Sequence, residues 1–246
     1  MVLANPHVLV YNTTHPVLAD KRIRQAMNLA IDRQLLADAL WAGRAIVPNG
    51  FQHPQFGDLY DADRPGFGYD PEKAKALLAE ASYNDEEIVY STRAAYYTNA
   101  TPAAQAILEM WKAVGINARL NVVESTDDLA DDIHMVRTWS NSTRYPDPAG
   151  AIWNLWGLLG GVQKSQKEWA PVEFNALGAK LDLTTDMAER REVFQQMLDQ
   201  WEEEAPGTIL YQPLETYGVR KSLEWQPYSF YYMDLRPYNL SEANPS

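Results

Sequence analysis

Thr101-Pro102-Ala103-Ala104-Gln105-Ala106-Ile107-Leu108-Glu109-Met110-Trp111-Lys112-Ala113-Val114-Gly115-Ile116-Asn117-Ala118-Arg119-Leu120-Asn121-Val122 is the stretch whose reading decides the fold class. Thr101-Pro102 is a helix start, because proline suits the first helical position, where its missing N–H costs nothing. Ile107, Met110, Trp111 and Val114 then recur at helical spacing, and Gly115 stops the run. From Ile116 to Val122 apolar and polar residues alternate at period two, the mark of a half-buried strand. Helix followed at once by strand predicts an α/β layer rather than a bundle.

Working back towards the N-terminus, the same grammar repeats. A strand is expected around Glu87–Thr92. Before it, Asp70-Pro71-Glu72 opens a helix with a buried stripe of Ala74, Leu77, Leu78 and Ala81. Residues 44–69 have no period and read as an irregular excursion, pinned to the body by Phe51, Phe56, Tyr60, Phe67 and Tyr69. Asp20 caps one long helix from about Lys21 to Ala42, closed by Gly43, and residues 7–12 form a strand.

Working forward, residues 126–134 suggest a short acidic helix and His134–Trp139 a short strand. Asn141–Pro148 reads as a polar loop and Ala149–Trp156 as a short aromatic helix. Gly157–Pro171 reads as exposed or mobile. Helices follow at Phe174–Leu183 and Met187–Glu204, the second capped by Asp186. Thr208–Tyr211 and Tyr217–Val219 are expected strands. Trp225–Ser246 reads as an extended tail without period.

Composition excludes several function classes. The net charge of −12 repels phosphate backbones, so nucleic acid is not an expected partner. With no cysteine there is no disulfide, no thiolate metal site and no cysteine nucleophile. His7, His15, His53 and His134 lack metal-ligand spacing, and no metal or other cofactor is expected. No motif places a nucleophile beside a base, and Asp127/Asp128 with Asp131/Asp132 read as a solvated face. The residues favour a ligand-capture module over an enzyme; a small-molecule hydrolase or transferase and a sensory ligand-binding module are the alternatives.

Several segments, in order, resemble one family. Val17-Leu18-Ala19-Asp20-Lys21-Arg22-Ile23-Arg24-Gln25-Ala26-Met27-Asn28-Leu29-Ala30-Ile31-Asp32-Arg33 is the most specific. Tyr69–Ala81, Trp111–Ile116, Tyr145-Pro146-Asp147-Pro148 and Ala188–Arg191 follow at matching spacing. Together they resemble the extracytoplasmic solute-binding proteins, family 5, of ABC importers for oligopeptides, dipeptides and nickel. The resemblance implies an α/β fold, a mixed sheet flanked by helices, as lobe II of a type II (two-lobe) periplasmic binding protein. It implies residues 1–12 as a hinge strand or remnant of the first-lobe side, 13–211 as the ligand-binding lobe, and 212–246 as a return hinge strand and tail. It further implies a periplasmic or membrane-associated extracytoplasmic location, permease subunits as partners, and an N-terminal lobe and secretion signal missing from a fragment that starts at Met1.

Two loops carry the candidate ligand contacts. A captured solute needs aromatic walls, polar donors and a placed charge. Trp139, Asn141, Ser142, Thr143, Arg144 and Tyr145 supply them, with Trp153 either a wall or core. Asp147 reads as a helix cap. In peptide-binding relatives the position of Arg144 is an Asp that holds the ligand's amino terminus, so the resemblance here implies reversed charge. An Arg fork suits carboxylate or phosphate, hence a possibly anionic solute; the alternative pairs Arg144 internally with Asp147 or Asp127. Arg93, Tyr96 and Asn99, between a strand and a helix start, form the second candidate cluster, against the alternative of a surface-packed loop.

Overall fold

The computed structural model describes residues 1–94, 96–125, 135–229 and 233–242. In chain order the elements are β1 (His7–Tyr11), α1 (Lys21–Leu29), α2 (Arg33–Trp41), a 3-10 turn (Pro54–Leu59), α3 (Pro71–Glu80), β2 (Ile88–Arg93) and α4 (Ala100–Ala113). There follow β3 (Ala118–Val123), β4 (Val136–Ser140), α5 (Ile152–Trp156), a π turn (Gly161–Ser165), α6 (Val172–Leu183), α7 (Met187–Glu204), β5 (Gly207–Tyr211), β6 (Leu223–Trp225) and β7 (Leu240–Glu242).

Five strands form one mixed sheet in the order β3-β2-β4-β1-β5. β2 runs parallel to both β3 and β4, whereas β1 is antiparallel to both β4 and β5. The ends of β2, β3, β4 and β5 and the start of β1 therefore meet along one edge. β1 and β5 are buried throughout, so each reads as a continuous apolar run rather than an alternation. One face of the sheet packs Leu9, Tyr11, Tyr90 and Val136 against α1, α2, α3 and α4. The other packs Val8, Val10 and Ile209 against α5, α6, α7 and the 3-10 turn. The expected α/β architecture, with a mixed sheet between helices, is what forms.

Helix starts follow the capping chemistry. Asp20, Asp70 and Asp186 each accept a backbone N–H of the first turn, from Arg22, Lys73 and Glu189. Each such cap contributes about 1 kcal/mol. The helix expected from Lys21 to Ala42 is instead two. Asp32 leaves helical backbone (φ −79°, ψ 93°) and its carboxylate accepts from Leu35 N, starting α2 as a separate helix. That break puts Arg33 inside, where Nε donates to Ile209 O at 2.6 Å and the fork also reaches Asn28. Arg24, equally buried, donates to Leu18 O, Ala19 O, Glu204 O and Ala205 O. It thereby satisfies carbonyls left open where α7 ends at a left-handed Ala205. The two buried arginines of the Val17–Arg33 stretch, Arg24 and Arg33, thus pin α1 and α2 to the α7–β5 turn.

Four further expectations are corrected. Gly157–Pro171 is not an exposed loop: Val162 and Trp169 are buried, and Glu168 pairs with Arg137 beneath the sheet at 2.8 Å. Tyr217–Val219 forms no strand, and the tail instead closes a small antiparallel pair, β6 with β7. Tyr69 is exposed, so Phe51, Phe56, Tyr60 and Phe67 do the pinning of residues 44–69. The strand expected at His134–Trp139 runs from Val136 to Ser140. The acidic helix expected at 126–134 lies outside the described residues. Residues 7–11, expected in a hinge strand, run between β4 and β5.

Candidate functional site

The edge where the parallel strands end carries a cavity of about 430 Å³. α/β sheets place ligands outside the carboxyl ends of their strands, because there the backbone turns away and leaves a crevice. Arg93 ends β2, Ser140 ends β4, His7 begins β1, and Pro213–Glu215 follow β5; all line the cavity. Register explains the convergence, since His7 lies opposite both Ser140 and Tyr211. A second cavity of about 530 Å³ adjoins it, sharing Trp41, Thr98, Leu214 and Glu215 and adding Arg44.

The structure brings together part of the expected set. Arg93, Tyr96 and Ser142 line the first cavity. The Arg93 guanidinium lies 5.2 Å from the Tyr96 ring centre, and no ion pair holds it among the described residues. Tyr96 also meets Ser140 Oγ at 3.2 Å and packs against Trp139. Ser142 Oγ donates to Asn5 Oδ1.

Other expected residues are engaged elsewhere. Asn141 is buried, donating to Ala151 O and accepting from Trp156 Nε1, so both ends of its amide hold the core. Thr143 is buried, and its N–H donates to Ala4 O. Trp139 stays outside the first cavity; it lies beside Arg137 and lines a small neighbouring cavity with Arg93 and Tyr96. Asn99 takes a left-handed conformation and donates to Leu40 O, lining only the adjoining cavity. Trp153 resolves towards packing. Its indole N–H donates to Asp182, and its ring lies so close to Gly157 and Gly178 that a Cβ at either would sit 2.2 Å away.

Arg144 and Tyr145 are exposed beyond the first cavity. Asp147 is not the partner of Arg144. Both its oxygens receive Arg190 Nη2, at 2.8 and 2.7 Å, and it caps Ala149 N. Asp127 lies outside the described residues. Arg144 has no side-chain partner among the described residues.

Reading the sequence missed His7, Trp41 and Glu215, and placed Tyr97 in the second candidate cluster without singling it out as a lining residue. His7 stacks on Tyr97 with ring centres 3.4 Å apart and meets Trp41 and Tyr211 edge-on or tilted. Burial lowers the His7 imidazole to about 3, so it is neutral across the physiological range. Burial likewise pushes the Tyr211 hydroxyl up to about 12 and Tyr97 well above the ordinary phenol range. The Trp41 indole N–H approaches Tyr211 closely enough to favour its ionised form slightly, yet outside hydrogen-bond geometry. A lone histidine opening an apolar strand carries no spacing signal, which is why it escaped notice.

Comparison with known proteins places this geometry. Residues 3–161 match the family model of bacterial extracellular solute-binding proteins, family 5 Middle. The chain is 26% identical over 221 residues to di/tripeptide-binding protein 1 of Pseudomonas aeruginosa, covering 84% of this chain and 40% of that protein. It is 26% identical over 230 residues to the dipeptide-binding protein of Escherichia coli, covering 89% and 42%. Among solved structures, HbpA2 from Haemophilus parasuis superposes with a TM-score of 0.78 at 23% identity, over 99% of this chain and 49% of that one. The periplasmic DppA of Helicobacter pylori, in complex with the peptide STSA, superposes at 0.75 and 20% identity, over 87% and 43%. The chain thus spans less than half the length of these proteins. The two relatives are named for binding, not for a reaction.

Proposed function

The chain belongs to the bacterial extracellular solute-binding proteins, family 5, and from that premise we propose that it is one jaw of a solute trap serving an ABC importer. The solute sits in the cleft at the carboxyl ends of β2, β4 and β5. A second lobe closes over it by hinge motion, and the closed form is presented to permease subunits. In this reading residues 13–211 are the ligand-binding lobe, with 1–12 and 212–246 leading to and from the hinge. The location is periplasmic or otherwise extracytoplasmic. Among the described residues no helix is long and apolar enough to cross a membrane.

The observation that carries the reading is Arg93, a cation on the wall of a 430 Å³ cavity with no ion pair among the described residues. A guanidinium left without a carboxylate at the mouth of a crevice is available for one from a solute. Arg144, equally unpartnered on the adjacent loop, adds a second cation. The solute class is therefore small and carboxylate- or phosphate-bearing, and a short peptide, with its terminal carboxylate, falls within it. Calorimetry with succinate and with short peptides tests this, on the chain and on Arg93→Ala and Arg144→Ala. Loss of about tenfold or more in affinity is expected for Arg93→Ala. Unchanged affinity in both variants removes the anion from the site.

A further inference from the structure

At the inner end of the cleft, three buried polar atoms have no hydrogen-bond partner among the described residues: His7 Nδ1, Trp41 Nε1 and the Tyr211 hydroxyl. Buried polar groups in folded proteins are nearly always satisfied, so three orphans in one contact cluster require a common explanation. They are one cluster, because the His7 ring contacts both Trp41 and Tyr211, whose rings also meet edge-on at 5.8 Å. His7 and Trp41 line the 430 Å³ cavity. The backbone contributes independently. The β1–β5 register slips between His7 and Val8, the kind of irregularity that re-aims a side chain beside a site.

Resting on the solute-trap reading, we infer that His7, Trp41 and Tyr211 form a neutral hydrogen-bonding subsite that takes an uncharged carboxamide group of the solute. The donor and acceptor inventory selects this chemistry. Trp41 Nε1 only donates, neutral His7 offers one donor and one acceptor, and the Tyr211 hydroxyl does both. An amide carbonyl accepts from Trp41 while its N–H donates to His7 or Tyr211. A carboxylate could accept from all three but carries its charge into the site, and an ammonium brings donors only and leaves Trp41 unmatched. Either ion is penalised by the loss of its water against the aromatic walls of Trp41 and Tyr97. The cleft then reads two features of one solute: charge at Arg93, and a neutral polar plane at His7.

The test uses the intact chain with labelled histidine rings and three small probes: acetamide, acetate and methylammonium. Acetamide is expected to shift the His7 ring nitrogens saturably, with the two ions binding at least about tenfold more weakly. His7→Phe keeps the ring and removes the nitrogens; it is expected to weaken acetamide about fivefold to tenfold, read for the variant by probe relaxation. His7→Gln, which restores a donor and an acceptor, is expected to recover part of that. If His7→Phe does not fold, Trp41→Phe makes the same test by removing Nε1 alone. Acetate binding as tightly as acetamide overturns the inference, as does full affinity in the Phe variants. So does a bound water on His7 that acetamide does not displace. A chain that takes acetamide at His7 but ignores succinate sinks the anion reading alone; one that takes succinate but not acetamide sinks the subsite alone.

Discussion

Arginines near the start of β5 and arginines near its far end are treated oppositely by the same fold. Arg24 and Arg33 are buried, and their forks are filled by backbone carbonyls of Leu18, Glu204, Ala205 and Ile209. Arg64 is likewise held by Asp199, Glu202 and Gln195. At the other edge the Arg93 guanidinium lies over the face of Tyr96 with no ion pair among the described residues, and Arg144 stands exposed. A guanidinium that closes open carbonyls is part of the frame. One left open beside a crevice is addressed to something outside it. Charge alone does not separate the two roles; the count of satisfied donors does.

The largest effects should come from the filled class. Glu168→Ala breaks the buried ion pair with Arg137 beneath the sheet and is expected to cost about 3–5 kcal/mol in urea unfolding. Arg33→Ala strips the partner from Ile209 O and Asn28 and should cost about 3 kcal/mol by the same measurement. A loss below about 1 kcal/mol for Arg33→Ala would erase the proposed distinction between the two edges.

Between the extremes lies a pH effect from His7. Its folded-state imidazole is lowered to about 3 against an ordinary 6.5, so below 6.5 the unfolded chain takes up a proton that the folded chain refuses. Stability from this group is full above pH 6.5 and falls as pH drops from 6.5 towards 3, by about 1.4 kcal/mol per pH unit at the steepest. Urea midpoints from pH 7 to 4 in the parent and in His7→Phe should diverge accordingly. Parallel curves would mean that His7 protonates in place. The smallest effects belong to the open class. Arg93→Ala and Arg144→Ala should each shift unfolding stability by less than about 0.5 kcal/mol, whatever they do to binding. A larger shift for Arg144 would reveal an internal partner after all.

The same distinction explains what could be read in advance. Capping aspartates and period-two runs are local signals, so Asp20, Asp70, Asp186 and the strand after Gly115 were legible. The break at Asp32 was not, because Asp32 sits within an uninterrupted helical stripe, and the gain comes from Arg33 reaching Ile209 far away in sequence. The burial of Glu168 depends on Arg137 in a strand thirty-one positions earlier, and a polar composition cannot reveal it. Of the candidate ligand residues, the placement of the loop after β2 beside a cavity was legible because strand ends in α/β sheets are where crevices form. The loop after β4 looked equally suitable, yet Asn141 is turned inward by Trp156 and Ala151. His7 depended on register, which only the folded sheet sets.

One feature of the sheet constrains how the molecule is made. β1 is made well before β4 and β5, yet it is an interior strand that lies between them. Its apolar run must wait, unpaired, until both have followed. Contacts so distant along the chain slow assembly and expose sticky intermediates. Completion of β5 is therefore the event that locks the lobe, and a ribosome stalled short of Gly207 should release a chain that proteases cut readily between Val8 and Tyr11.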